Sequence, residues 1–214
     1  MSKIKIPKYS LGEELFNSIS HGIGAGLSIA ALVILLIKSN RPIEYVSCSL
    51  YGASLIILYT ISCIYHALSP KIKGKKVLRV IDHCNVMLLE FGTYIPLSLC
   101  AIGKALGWIV FSIVLVTTII SIVLNAIDVD KYQKYSVACN LLEGWLALLI
   151  IVPLKEAIGI NGIILLVLGG LSYSFGAVLY ALGSKKKWMH SIFHIFCLLG
   201  SIFHFFLIYI YCLD

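Results

Sequence analysis

Charge is scarce in this chain. Asp, Glu, Lys and Arg make up 13% of its 214 residues, while hydrophobic residues make up 60%. A soluble domain carries about a quarter of its residues charged, so a soluble fold is excluded. Proline is also sparse, at five residues, and only Pro96 and Pro153 are placed to kink a long apolar run. No Cys-x-x-Cys occurs. The seven cysteines are odd in number and nearly all lie within apolar runs, so they read as small buried residues without a disulfide framework. Low-complexity tracts and defensible repeats are missing too. The glycines of His21-Gly22-Ile23-Gly24-Ala25-Gly26 and Gly169-Gly170 follow no strand. They read as small residues for close helix packing rather than phosphate loops.

What the chain does have is long apolar runs. A bilayer core needs about 20 residues per helix, and seven runs qualify: roughly 17–37, 44–68, 80–100, 105–127, 136–154, 159–182 and 189–212. Short loops separate them. The expectation is an all-α integral membrane protein with seven transmembrane helices in one domain, 1–214. The first apolar run is too long for a cleaved signal peptide, and a polar stretch from Gly12 to His21 separates it from the basic start.

Basic residues set the expected orientation. Lys3, Lys5 and Lys8 precede the first run; Lys71, Lys73, Lys75, Lys76 and Arg79 follow the second. Lys131 and Lys134 follow the fourth, and Lys185, Lys186 and Lys187 the sixth. The opposite side holds Lys38, Arg41, Lys104 and Lys155. The bias predicts a cytoplasmic N-terminus and an extracytoplasmic C-terminus. The net charge of +7 follows from that bias and from attraction to anionic head groups. The lysines are split among short loops, which argues against nucleic-acid binding. The expected partners are membrane lipids; oligomeric state is not legible.

Ionisable groups inside a membrane are costly and mark function. Ser62 and His66, then Asp82, then His190 and His194 fall at one end of three different spans. Each i, i+4 pair shares a helix face, ~6 Å apart along the axis. Zinc takes neutral imidazole, and a catalytic site leaves one position to water. His66, His190 and His194 are the candidate ligands. Asp82 and Ser62 are the candidate catalytic pair, with Asp82 as proton acceptor. The bland alternative is a hydrogen-bonded pair of helix histidines, and for Ser62 a backbone-bonded serine.

Glu14, Asn17 and His21 share another helix face at the same end and read as a polar brace between helices. Glu90 either lines a cavity above the metal or makes a structural hydrogen bond, and Glu143 is a second deep carboxylate. His204 lies ~15 Å past His194 and reads as a satisfied core histidine. Asp128 and Asp130 read as solvated loop residues. The aromatic residues at the outer end of the last run, Tyr209 and Tyr211 among them, resemble an interfacial belt.

These residues bring a resemblance into view. Glu14-Leu-Phe-Asn17-Ser-Ile-Ser-His21, Ser62-Cys-Ile-Tyr-His66, Ile81-Asp82-His83 with Phe91-Gly92-Thr93-Tyr94-Ile95-Pro96, and His190-Ser-Ile-Phe-His194 resemble the hemolysin III proteins. These are the bacterial branch of the progestin and adipoQ receptor family. The resemblance implies seven helices, an internal N-terminus, a bacterial plasma membrane and a zinc ion on the three histidines. It also implies kinship with membrane hydrolases that include alkaline ceramidases.

Three functions compete. The first is a zinc-dependent hydrolase of lipid amide or ester bonds. The second is a regulator or receptor for membrane homeostasis, with structural zinc. The third is a cytolytic, pore-forming hemolysin, which the uniformly apolar spans do not favour.

Overall fold

The computed structural model describes residues 4–183 and 186–213. Two lysines used for the expected orientation, Lys3 and Lys185, lie outside the described residues. Among the described residues there are seven α-helices and no strand. They are α1 (Leu11–Lys38), α2 (Pro42–Ala67), α3 (Gly74–Pro96), α4 (Lys104–Ile127), α5 (Val129–Gly144), α6 (Ile151–Gly183) and α7 (Met189–Tyr211).

Six helical stretches are long and apolar enough to cross a membrane, and one of these, Val129–Gly183, contains 55 residues. A straight helix of that length would span ~80 Å, far more than the ~30 Å of a hydrocarbon core. The chain breaks it twice. Trp145 leaves helical geometry and Leu146–Ile150 form a 3₁₀ turn. Gly159 then turns sharply at φ 66°, ψ 178°, a backbone state that only glycine adopts without strain. The kink expected near Pro153 is therefore made by Gly159. Pro153 sits in the first turn of α6, where a missing N–H is tolerated.

Pro96 does alter its helix. It ends α3, and Leu97–Ile102 follow as a π-helical turn. The Ser98 hydroxyl donates to the Tyr94 carbonyl at 2.6 Å, satisfying an acceptor near the break.

Four helix starts come well before the sequence expectation, α5 at Val129 rather than near 136 and α6 at Ile151 rather than near 159 among them. α1 begins at Leu11 rather than near 17, because Ser10 and Glu13 form a reciprocal capping box. α3 begins at Gly74 rather than near 80. Lys75 and Arg79 are thus helical and buried, not loop residues.

Packing runs around a ring. α1 contacts α2, α2 contacts α3, and so on to α7, which returns to α1; the α5–α6 seam is the thinnest. Each helix turns its small and polar residues inward. On α1, Asn17, His21, Gly24, Ser28 and Ala31 are buried, while Leu15, Ile19, Ile23, Leu27 and Ile34 are exposed. α4 repeats this, with Gly107, Val114, Thr118, Ser121 and Asn125 inside and Ile109, Ile113, Val116 and Ile120 outside. An apolar exterior around a small-residue interior is the packing a lipid solvent selects. Gly24 shows how close the approach is: a Cβ there would lie 2.7 Å from Leu198 on α7 and 2.8 Å from Tyr59 on α2. All seven cysteines are free, and Cys139 is exposed rather than buried.

Candidate metal centre and cavity

His66 occupies the last turn of α2, and His190 and His194 the first two turns of α7. The ring packing of α1 between these helices brings them together. One ring nitrogen from each histidine lies within 4.8 Å of the others, and all three residues are buried. The His190 and His194 Nε2 atoms face each other at 3.2 Å.

The geometry is set from behind. Glu14 on α1 contacts His66 Nδ1 at 2.6 Å, and Asn17 Nδ2 lies 3.4 Å from the same atom. A proton on Nδ1 donated to Glu14 leaves the Nε2 lone pair of His66 free, and Nε2 has no protein partner. The other Glu14 oxygen accepts from Lys75 Nζ at 2.6 Å, and Lys75 also donates to the Leu68 carbonyl at 2.8 Å. Glu13, one residue earlier, accepts from the Trp188 backbone N–H at 2.7 Å and so pins the start of α7 to the start of α1.

These residues fit a metal ion. Zinc–nitrogen bonds of about 2.0–2.1 Å place neighbouring ligands about 3.4 Å apart in a tetrahedron. The His190 and His194 nitrogens match that spacing at 3.2 Å, and the His66 nitrogen lies within 4.8 Å of both. An orphaned, buried His66 Nε2 backed by a carboxylate on Nδ1 is the usual arrangement for a metal-bound histidine.

Asp82 is the ninth residue of α3, in its third turn. Its carboxylate lies beside the Ser62 side chain and within electrostatic range of His66. Both side chains line a cavity of about 210 Å³ that also reaches His21, His190 and His194. Asp82 is only half-buried because its remaining accessible surface opens onto this cavity. His21 stacks on His194 with ring centroids 3.7 Å apart and neither of its nitrogens is paired. The expected site residues therefore divide by place. Ser62, Asp82 and His21 sit beside the three histidines. Glu14 and Asn17 sit behind His66. Glu90 lines the same cavity deeper in the bundle.

Several residues escaped the sequence reading. Tyr9 stacks on His190 with centroids 4.8 Å apart, and Pro7 and Tyr9 line the cavity. Burial raises the Tyr9 phenol well above its ordinary range, so it stays neutral over the site. Asp130, expected in a solvated loop, lies in the first turn of α5. It accepts from Arg79 at 2.7 Å and from the Lys5 backbone at 3.0 Å. It thereby ties the N-terminal segment and α3 together. Lys75, a loop lysine by the sequence expectation, is buried in the first turn of α3. No sequence rule separates a buried lysine from a solvated one, and its i, i+4 relation to Arg79 was the only hint.

The fold and site define a class: a helical membrane bundle with a buried tri-histidine site, able to hold a metal, opening onto an internal cavity. Comparison with known proteins then gives the family. A family profile described as "Haemolysin-III related" matches residues 9–205, and the chain belongs to that family. It is 37% identical over 205 residues to "Hemolysin-3" of Bacillus cereus, covering 94% of this chain and 92% of the relative. It is 35% identical over 207 residues to the "Hemolysin-3 homolog" of Bacillus subtilis (strain 168), covering 95% and 96%. The human "Monocyte to macrophage differentiation factor" is 24% identical over 210 residues, covering 93% and 84%. The chain is accordingly a multi-pass membrane protein of bacterial type.

Proposed function

We propose that this protein is a zinc-dependent hydrolase that cleaves an amide or ester bond of a membrane lipid in the cytoplasmic leaflet. One observation carries the reading: three histidine nitrogens lie within 4.8 Å of one another, and two of these histidines, His190 and His194, line a cavity whose wall also holds Asp82 and Ser62. A structural zinc site is closed by four protein ligands, whereas a catalytic one keeps an open position.

The reading includes seven crossings in one domain, 1–214, with the N-terminus cytoplasmic. The break at Gly159 supports two crossings within Val129–Gly183. When bound, zinc supplies a Lewis acid for the scissile carbonyl and brings the pKa of water to about 7. His66, His190 and His194 would hold the ion, with Glu14 fixing the His66 tautomer. Asp82 takes a proton from water at its carboxylate, in an orientation held by the Ser62 hydroxyl. Tyr9 covers His190 and limits entry of bulk water.

A second reading, a membrane-state regulator with a structural metal, draws support from the Lys75–Glu14–His66 chain, which ties α1, α2 and α3 together around the site. Metal content by mass spectrometry, beside turnover of ceramide-type amides and phospholipid esters, separates the two. We expect about one zinc per chain in the wild type and in Asp82→Asn, and none in His194→Ala. Turnover in Asp82→Asn should drop by ~10²–10⁴-fold, the range for a lost general base. Undiminished hydrolysis by Asp82→Asn would refute the mechanism, and zinc without turnover on any lipid would favour the regulator.

A further inference from the structure

The cavity does not stop at the histidines. It continues between apolar walls that include Leu89, Leu97 and Ala147, to a deeper region lined by Glu90 and His204. Along α3, Glu90 stands eight residues beyond Asp82, or ~12 Å; along α7, His204 stands ten beyond His194, or ~15 Å. Two helices thus place a polar group at similar depth in a mostly apolar pocket.

Neither group is fully occupied. Glu143, the other deep carboxylate, accepts from Thr117 at 2.9 Å and Thr118 at 3.2 Å. Glu90 has no hydrogen bond among the described residues. Gly144 leaves room for it: a Cβ there would lie 3.1 Å from Glu90 Oε1. His204 Nε2 lies 3.3 Å from the Leu166 carbonyl, while Nδ1 is buried and unpartnered. With Nε2 donating, Nδ1 is an acceptor. A buried polar atom without a partner costs about 1–3 kcal/mol, so this end of the cavity suits an occupant that brings a hydroxyl.

We propose that Glu90 and His204 form a second recognition point for a hydroxyl group carried mid-way along an acyl chain. The substrate class is then a lipid amide or ester of a mid-chain hydroxy fatty acid. The carbonyl is held at the histidine end, and the hydroxyl lies ~12–15 Å deeper. This rests on the hydrolase reading for its substrate, but the recognition itself is a binding property and is measured without turnover.

The test is displacement of a fluorescent fatty acid from Asp82→Asn protein in nanodiscs. The competitors are stearate and hydroxystearates with the hydroxyl beside the carboxyl, at mid-chain, or at the methyl end. One net hydrogen bond of about 1.4 kcal/mol corresponds to tenfold. We expect the mid-chain isomer to compete ~10-fold better than stearate, with no such gain for the other two. Glu90→Leu and His204→Phe should each remove the preference while leaving stearate binding in place. Equal competition by all four acids, a preference independent of hydroxyl position, or no displacement by any of them would overturn the proposal. Should the mid-chain preference appear while no lipid is hydrolysed, the recognition stands and the hydrolase reading falls. Should hydrolysis occur with no preference, the reverse holds.

Discussion

Replacing Glu14 by Gln tests how the metal site is built. The carboxylate contacts His66 Nδ1 and Lys75 Nζ, each at 2.6 Å. An amide has one acceptor oxygen and a nitrogen that only donates, so Gln can serve Lys75 or His66 but not both. If Lys75 keeps the oxygen, the NH₂ group faces His66 Nδ1. The ring then favours the tautomer with its proton on Nε2, the atom needed for metal. Loss of such a carboxylate typically lowers metal affinity by ~10–100-fold, or about 1.4–2.8 kcal/mol. The same change strips the charge partner from Lys75, whose side chain is 1% exposed. Removing one partner of a fully buried pair costs ~3–5 kcal/mol. The Leu68 carbonyl still accepts from Lys75, so the low end applies. The assay is zinc occupancy by mass spectrometry across chelator-buffered free zinc, on protein whose helicity and monodispersity match wild type. The occupancy midpoint should move to ~10–100-fold higher free zinc. Coincident midpoints for wild type and Glu14→Gln would refute the idea that Glu14 orients His66 for a metal.

Two further outcomes follow from the same contacts. Asp130→Asn removes the ion-pair partner of the buried Arg79 guanidinium. Asp130 is itself 29% exposed, so solvent softens the loss to ~1–3 kcal/mol, below the value for a fully buried pair. A fall in Tm of several degrees in detergent is expected, and an unchanged Tm would show that the latch does not hold. Tyr9→Ala uncovers His190, so chelator should strip the metal several-fold faster at nearly unchanged equilibrium occupancy. Equal stripping rates would show that Tyr9 does not gate the site.

How much of this was legible in the residues depends on the range of the interaction. The all-helical membrane character follows from apolar run length, which is local. The grouping of His66, His190 and His194 follows from i, i+4 spacing and the counting of helix ends. The bound on Val129–Gly183 was partly legible: the sequence placed a break near 159, but attributed the kink to Pro153. Proline disrupts a helix only when its N–H would have been used, and at Pro153 it would not. Partner choice was not legible. Arg79 and Asp130 are 51 residues apart, and nothing local distinguishes them from solvated charges. Tyr9 was missed for the same reason, since its stacking on His190 exists only once α1 and α7 are neighbours. His204 was read as satisfied, yet it is paired through one nitrogen only, because its neighbour Gly169 brings α6 close on one side and the cavity opens on another.

The first turn of α1 holds three other helices in register. Glu13 and Glu14 are adjacent, so they point ~100° apart around the helix. Glu14 reaches α2 through His66 and α3 through Lys75, while Glu13 reaches α7 through the Trp188 N–H. Trp188 needs that acceptor, because it caps α7 in the left-handed region at φ 66°. A bulky residue there carries strain of order 1–3 kcal/mol. Glu13→Ala removes the acceptor and breaks the capping box, which together cost ~2–4 kcal/mol. The loss falls on one helix end rather than on the whole bundle. Hydrogen exchange should therefore rise over residues 189–194 while the end of α2 near His66 stays protected. Zinc affinity should fall through misplacement of His190, although His66 keeps its Glu14 contact. The opposite pattern, with exchange rising at His66 first or α7 staying fully protected, would show that the two carboxylates do not divide the work and that α7 is positioned by packing against α6 alone.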